Sequence, residues 1–257
     1  MRVAALYDVH ANLPALDAVL EDVARAGVDR IVVGGDIVPG PMPRQTLERL
    51  LALERPVEFI HGNCELAVLA QMAAPDADSA AYWGTTSGRP LSEPHRSRMR
   101  WAAEQVRDYE SVLASWPRTR RIAIEGLGDV LFCHGTPRSE TELFTRLTAE
   151  ERLVPLFEAL GVSVVVCGHT HMQFDRTVGR TRVVNAGSVG MPFGEPGAYW
   201  ALLGPNVELR RTSYDVERAA ELIRRSESPG AEDEARSVLS PASERQMLEA
   251  YRAAEVG

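Results

Sequence analysis

Val162-Ser163-Val164-Val165-Val166-Cys167-Gly168-His169-Thr170-His171 is a short, continuous apolar run that ends in a glycine and two imidazoles. A run of this length, rich in β-branched residues and bounded by Gly168, reads as a strand buried on both faces. If the chain stays extended past the strand, His169 and His171 project to the same side and face one pocket. That is a metal-ligand spacing, weak by itself because histidines fall two apart by chance. Its weight comes from upstream, where the same arrangement recurs. Val3-Ala4-Ala5-Leu6 precedes Asp8 and His10, and Ile31-Val32-Val33-Gly34-Gly35 precedes Asp36. Val57-Glu58-Phe59-Ile60 runs into Asn63 and Cys64, and Val130-Leu131-Phe132-Cys133 delivers His134.

Between these runs the spacing predicts helices. One begins with Asn12 as its N-cap and Pro14 in its first turn, carries Leu13, Leu16, Val19, Leu20 and Val23 on one face, and stops at Gly27. A second, about residues 45–54, buries Leu47, Leu50 and Leu51. Strand, polar loop and helix thus repeat three times. This favours an α/β fold whose parallel strands present ligand groups at their carboxyl ends. Residues of about 66–117 form a helical excursion, a usual position for substrate-selecting elements, with Tyr82 and Trp83 read as a core contact. A hairpin over Gly126-Leu127-Gly128, a helix near 149–160 and alternating strands to about residue 211 follow. Such a run of strands after strand-helix units predicts a second, more antiparallel sheet packed on the first.

The bulk properties exclude several functions. The chain has 257 residues, enough for one large domain with a tail, and a formal net charge of -8. An acidic surface argues against general nucleic-acid binding and against a membrane-surface role. All 28 basic residues are Arg; without Lys, neither Schiff-base chemistry nor a Walker-type phosphate loop is available. Cys64, Cys133 and Cys167 form no spaced pairs, and no signal peptide or long apolar span is read, so a cytoplasmic setting is expected. Cys133 and Cys167 read as core residues. The division expected is 1–212 for the main domain and 213–257 for a helical C-terminal tail. That tail is read as a packing surface against the body or another subunit, which allows a homo-oligomer.

Taken together, Asp8, His10, Asp36, Asn63, His134, His169 and His171 offer two carboxylates, one amide oxygen and four imidazoles. This mixture suits divalent transition metals, with manganese first and iron, zinc, nickel or cobalt as alternatives. Seven ligands are too many for one tetrahedral ion and fit two ions that share a carboxylate. The ordered series Asp8-Val9-His10, Gly35-Asp36, Gly62-Asn63-Cys64-Glu65, His134-Gly135 and Gly168-His169-Thr170-His171 resembles the calcineurin-like metallophosphoesterase superfamily, in particular its compact bacterial and archaeal phosphodiesterase branch. The resemblance covers roughly residues 1–205.

It implies a four-layer α/β/β/α sandwich of two mixed sheets flanked by helices, with a binuclear metal site at the sheet ends. Asp8, His10 and His171 would hold one metal, Asn63, His134 and His169 the other, and Asp36 would bridge them. One carboxylate between two dications about 3.5–4 Å apart offsets their repulsion. The implied reaction is hydrolysis of a phosphodiester, or an activated phosphomonoester, by a metal-bridging hydroxide. The catalytic set is then Asp36, Asn63 and Cys64, and the partner is a small phosphate-ester substrate. Alternatives are a monoesterase acting on a nucleotide or phosphorylated metabolite, and a non-catalytic metal-bearing scaffold like the retromer subunit built on the same fold.

Cys64 departs from the superfamily pattern, in which many members carry a His here that protonates the leaving alkoxide. A thiol is a poorer hydrogen-bond donor, so activity is expected to depend strongly on leaving-group acidity. Asn12, Arg138 and His95 are the candidate substrate contacts, with His61 and His95 as substitute acids. The loop Asn185-Ala186-Gly187-Ser188-Val189-Gly190 resembles the family's closing loop beside the site.

Overall fold

A computed structural model describes residues 1–74 and 92–256. Tyr82 and Trp83 lie outside the described residues. Two five-stranded mixed sheets face each other. The first has the order β10-β9-β1-β2-β3, built from β1 (Val3–Leu6), β2 (Arg30–Val33), β3 (Val57–Phe59), β9 (Ala198–Leu203) and β10 (Val207–Thr212). Strands β1, β2 and β3 are parallel, with Val3 opposite Arg30 and Leu6 opposite Val33, whereas β9 runs antiparallel to both of its neighbours, β1 and β10. The second has the order β4-β5-β6-β8-β7, from β4 (Thr119–Ile124), β5 (Gly128–Cys133), β6 (Val164–Cys167), β7 (Phe174–Val178) and β8 (Thr181–Asn185). Here β5, β6 and β8 are parallel.

The side-chain alternation of each strand sorts the layers. Along β1, Val3, Ala5 and Tyr7 point between the sheets and meet Phe132, Val166 and Val184 of the second sheet. Ala4 and Leu6 point the other way, onto Leu16, Val19 and Val23 of α1 (Leu13–Arg25) and Leu47 and Leu50 of α2 (Pro43–Leu51). Each fully buried Val or Leu among them contributes about 1.5–3 kcal/mol. On the far side, Leu131, Cys133 and Val165 pack on Leu153 and Phe157 of α6 (Glu150–Phe157). The result is the expected four-layer α/β/β/α sandwich.

Most element boundaries follow their local chemistry. Asn12 caps α1 by accepting from the Ala15 amide at 3.2 Å, and Gly27 follows the helix with φ +61°. Helix α2 starts two residues earlier than the apolar spacing suggests because Pro43 occupies its first turn. Within the expected helical excursion, α4 (Glu93–Gln105) is followed by the 3-10 turn Arg107–Tyr109 and then by α5 (Glu110–Ala114). Helix α3 (Asn63–Ala73) opens directly at the candidate ligand Asn63.

The tail is more than an appendage. Helices α7 (Val216–Arg224) and α8 (Ala231–Leu239) form their own small core through Ala219, Ile223, Ala235 and Val238. Arg98 of α4 reaches Asp233 of α8 at 2.9 Å. After α9 (Glu244–Tyr251), Val256 returns to the core beneath α6. Among the described residues, no helix is long and apolar enough to cross a membrane.

Candidate metal centre

The loops after β1, β2, β3, β5 and β6 meet where the two sheets face each other, and they bring all seven expected ligands together. Backbone hydrogen bonds lace these loops. Asp8 N–H donates to Gly35, His10 N–H to Asp36 at 2.9 Å, and Gly168 N–H to His134 at 2.9 Å. The sheets are also tied through side chains, since Tyr7 donates to the Val166 carbonyl at 2.9 Å and Asp8 Oδ2 accepts from the His169 amide at 2.8 Å. Such close approach needs glycine at two points. A Cβ at Gly62 would collide with the Asp36 carboxylate, and one at Gly168 with the Asp8 carboxylate and the Tyr7 ring.

The histidine pair is positioned differently from the extended-chain expectation. His169 and His171 have φ of +65° and +58°, so the chain coils as soon as β6 ends. The two rings part company as a result: His171 lies 4.9 Å from the His10 ring, and His169 lies 5.0 Å from the His134 ring. Left-handed backbone recurs at Asp8 (+53°), His10 (+44°) and Asp36 (+53°). Among the described non-glycine residues, Ala11 alone shares this conformation without being a candidate ligand. Clustered strain of this kind marks positions where side-chain placement outweighs backbone comfort.

Each ring is aimed by a carbonyl. His134 Nδ1–H donates to Gly34 at 2.8 Å and His171 Nδ1–H to Met191 at 2.6 Å, which leaves both Nε2 lone pairs facing the cluster. His10 Nε2 and His171 Nε2 stand 3.1 Å apart, and Asp8 Oδ1 lies 3.2 Å from His171 Nε2. His134 Nε2 lies 3.0 Å from Asn63 Oδ1. Asp36 sits between the groups, its Oδ1 3.5 Å from His134 and its Oδ2 3.9 Å from His10.

The electrostatics test whether a metal fits. Asp8 Oδ1 and His169 Nε2 are buried without a hydrogen-bond partner, a costly state that a bound cation relieves. Burial alone would lower His134, yet Asp36 and Asp8 push it up to about 10; His171 is raised by Asp8 against the same burial. His10 and His169 fall to about 4 through burial and then through their neighbours His171 and His134 respectively. Burial would raise Asp36, but His134 and His10 hold it well below the usual carboxylate range. The side chains draw positive charge into the cluster, as a donor set for divalent cations must. Asp8, His10 and His171 offer ligand atoms all within 4.8 Å of one another, as do Asp8, Asp36 and His134.

Cys64 is also within that distance of His10 and Asp36. Its amide donates to Asp36 Oδ1 at 2.9 Å, and burial followed by Asp36 raises the thiol well above its ordinary range. A thiol that resists deprotonation is a proton carrier before it is a ligand.

The candidate substrate contacts divide. His95 and Asn12 line a cavity of about 230 Å³ that also touches His10 and Cys64. The Asn12 amide is already engaged, accepting from Ala15 and donating to the Gly190 carbonyl at 2.9 Å. Arg138 is not brought to this cavity. Its side chain is 59% exposed and forks onto Glu142 at 2.7 Å, because the chain turns outward after His134. His61 faces the Leu113 carbonyl at 3.1 Å.

Three supporting residues have roles that the sequence reading did not assign. Glu65 is fully buried and accepts from four backbone amides, those of Gly62, Asp36, Ile37 and Val38, at 2.7–3.2 Å. Burial and Asp36 push it up to about 7, while these donors favour its ionised form. Asn185 donates to the Gly168 carbonyl at 2.6 Å and to Thr170, shaping the loop that carries both histidines. Arg98 lines the cavity from α4. Glu65 had a signal in its place three residues after Gly62, where a capping carboxylate belongs, and Asn185 in heading the loop that resembles the family's closing loop; Arg98 had none.

Comparisons with known proteins bear on the fold and the family. Over 248 residues the chain is 25% identical to the uncharacterized protein MJ0912 of Methanocaldococcus jannaschii, covering 88% of this chain and 93% of that protein. The crystal structure of hypothetical protein PH1004 from Pyrococcus horikoshii superposes with a TM-score of 0.75 at 20% identity, over 94% of this chain and 99% of the other. A metallophosphoesterase from Sphaerobacter thermophilus superposes with a TM-score of 0.70 at 26% identity, again over 94% and 99%. Residues 1–205 match the calcineurin-like phosphoesterase superfamily domain, and the chain belongs to that superfamily.

Proposed function

We propose that the protein hydrolyses a phosphodiester, or an activated phosphomonoester, with two divalent metal ions held between the sheet edges. The observation that carries this reading is the pair of buried, unpartnered donors, Asp8 Oδ1 and His169 Nε2, within one cluster of seven ligand-type residues. Asp8, His10 and His171 would hold one ion, and Asn63, His134 and His169 the other. Asp36, reaching toward both groups with separate oxygens, would lie between them. The mixed nitrogen and oxygen donors favour manganese first, with iron, zinc, nickel and cobalt as competitors.

The chemistry supplied there by two divalent ions is Lewis-acid stabilisation of a phosphate ester and a water whose pKa falls from 15.7 to about 7. The chain's own residues do the rest. Carbonyls of Gly34 and Met191 fix His134 and His171 so that only their Nε2 atoms face inward. Glu65 holds the Asp36 turn against the start of α3. Cys64 keeps its proton at the cavity edge and is a weak donor to the leaving oxygen. The cavity receives the organic part of the ester.

Metal analysis joined to bis-aryl and mono-aryl phosphate turnover tests the proposal and separates diester from monoester preference. Activity should follow metal loading and vanish with it in Asp36→Ala. Full metal content and full turnover in that variant would sink the mechanism.

A further inference from the structure

The cavity beside the ligand cluster has two kinds of wall. One side is His10 and Cys64; the other is assembled by α4 and the tail helices α7 and α8, through Met99, Ile223, Val238, Asp233 and Ser237. The tail residues lie beyond the matched domain, which ends at residue 205. Met99 and Val238 are each 8% exposed and Ile223 is 1% exposed, so this wall presents apolar atoms firmly held by the packing beneath.

Its charged side chains already have partners of their own. Among the described residues, the guanidinium lining the cavity is that of Arg98, 22% exposed and paired with Asp233 at 2.9 Å. Asp233 is also met at 3.3 Å by Arg236 of its own helix. Arg98 Nε is buried without an acceptor, packed against Gly230. The second carboxylate, Glu234, accepts from Ser228 at 2.8 Å. An additional anion entering here would meet two carboxylates, a guanidinium that is already engaged, and His95, whose imidazole burial and then Arg98 hold below its ordinary pKa and so toward the neutral form. An apolar, uncharged group would lose little and bury well.

From this wall we infer that α4 and the tail select the substrate's organic group, and that the group is apolar and uncharged, as in an aryl ester, rather than one carrying a second phosphate or a carboxylate. The inference rests on the phosphoesterase reading of the neighbouring cluster and adds the substrate class.

Calorimetry on manganese-loaded protein with three non-hydrolysable probes tests it without turnover. Phenylphosphonate should bind at least about tenfold more tightly than methylphosphonate, and 4-phosphonobenzoate about tenfold more weakly than phenylphosphonate. Ser237→Trp, at an exposed position on α8, should erase the phenyl-over-methyl preference. Asp233→Arg should reverse the penalty on the carboxylate probe, which keeps the inference open to test if the tryptophan variant misfolds. Equal binding of phenyl and methyl probes, preference for the carboxylate probe by the wild type, or a folded Ser237→Trp with unchanged selectivity would each overturn the inference while leaving the metal centre standing. Failure to take up metal or bind any phosphonate would overturn both readings.

Discussion

The edge where the sheets meet and the wall built by α4, α7 and α8 enclose the same cavity by opposite means. At the edge, candidate ligands from five loops are locked by backbone hydrogen bonds, left-handed turns and ring-to-carbonyl contacts. At the wall, side chains from distant segments meet through packing and through ion pairs between helices, Arg98 with Asp233 and Arg224 with Glu232. Rigidity belongs to the part that would handle the phosphate under the proposed function. Variation is cheaper at the wall, because changing a side chain there leaves the loops untouched.

The largest expected effect attacks the edge. Asp36→Asn removes the charge that reaches both ligand groups, and turnover should fall about a thousandfold or more, with metal content by elemental analysis falling alongside. Next comes the proton supply at the boundary between the regions. Rates across a series of leaving groups should rise steeply with leaving-group acidity, and Cys64→His should flatten that slope and raise alkyl-ester turnover about 100-fold. An unchanged slope would place the acid elsewhere, with His95 the first candidate in the cavity.

A smaller effect separates support from chemistry. Glu65→Gln keeps the shape but cannot accept from all four amides equally, and should cost about 1–3 kcal/mol in urea unfolding. The loss should be accompanied by metal affinity reduced about 10–100-fold. The smallest change is expected from Arg98→Gln. Its pair with the exposed Asp233 is worth about 1 kcal/mol or less, so the melting temperature should barely move. The phosphonate preferences would shift nonetheless if edge and wall act separately; loss of metal in this variant would show that they do not.

The edge was legible in the sequence and the wall was not. Each ligand follows an apolar run that must be a strand, so Asp8, Asp36, His134 and His169 announce their own location by position in chain. Even there the backbone was misread: extended geometry put His169 and His171 on one side, whereas their left-handed turns send them to different neighbours. Wall residues such as Met99, Ile223 and Val238 look like ordinary helix-face residues, and the spacing of one helix says nothing about which distant helix it meets. Arg138 misled for the same reason. Its closeness to His134 in sequence suggested a clamp, but Glu142 four residues on offers it a partner outside the cavity.

Left-handed backbone at five of the seven candidate ligands also governs how substitutions there must be interpreted. Alanine at His10, His169 or His171 would delete an imidazole and still leave a Cβ in a conformation that disfavours one, so lost chemistry and residual loop strain would be measured as a single number. Glycine deletes the same ring and relaxes the backbone. The difference between matched alanine and glycine variants isolates the conformational share, expected at about 1 kcal/mol per position.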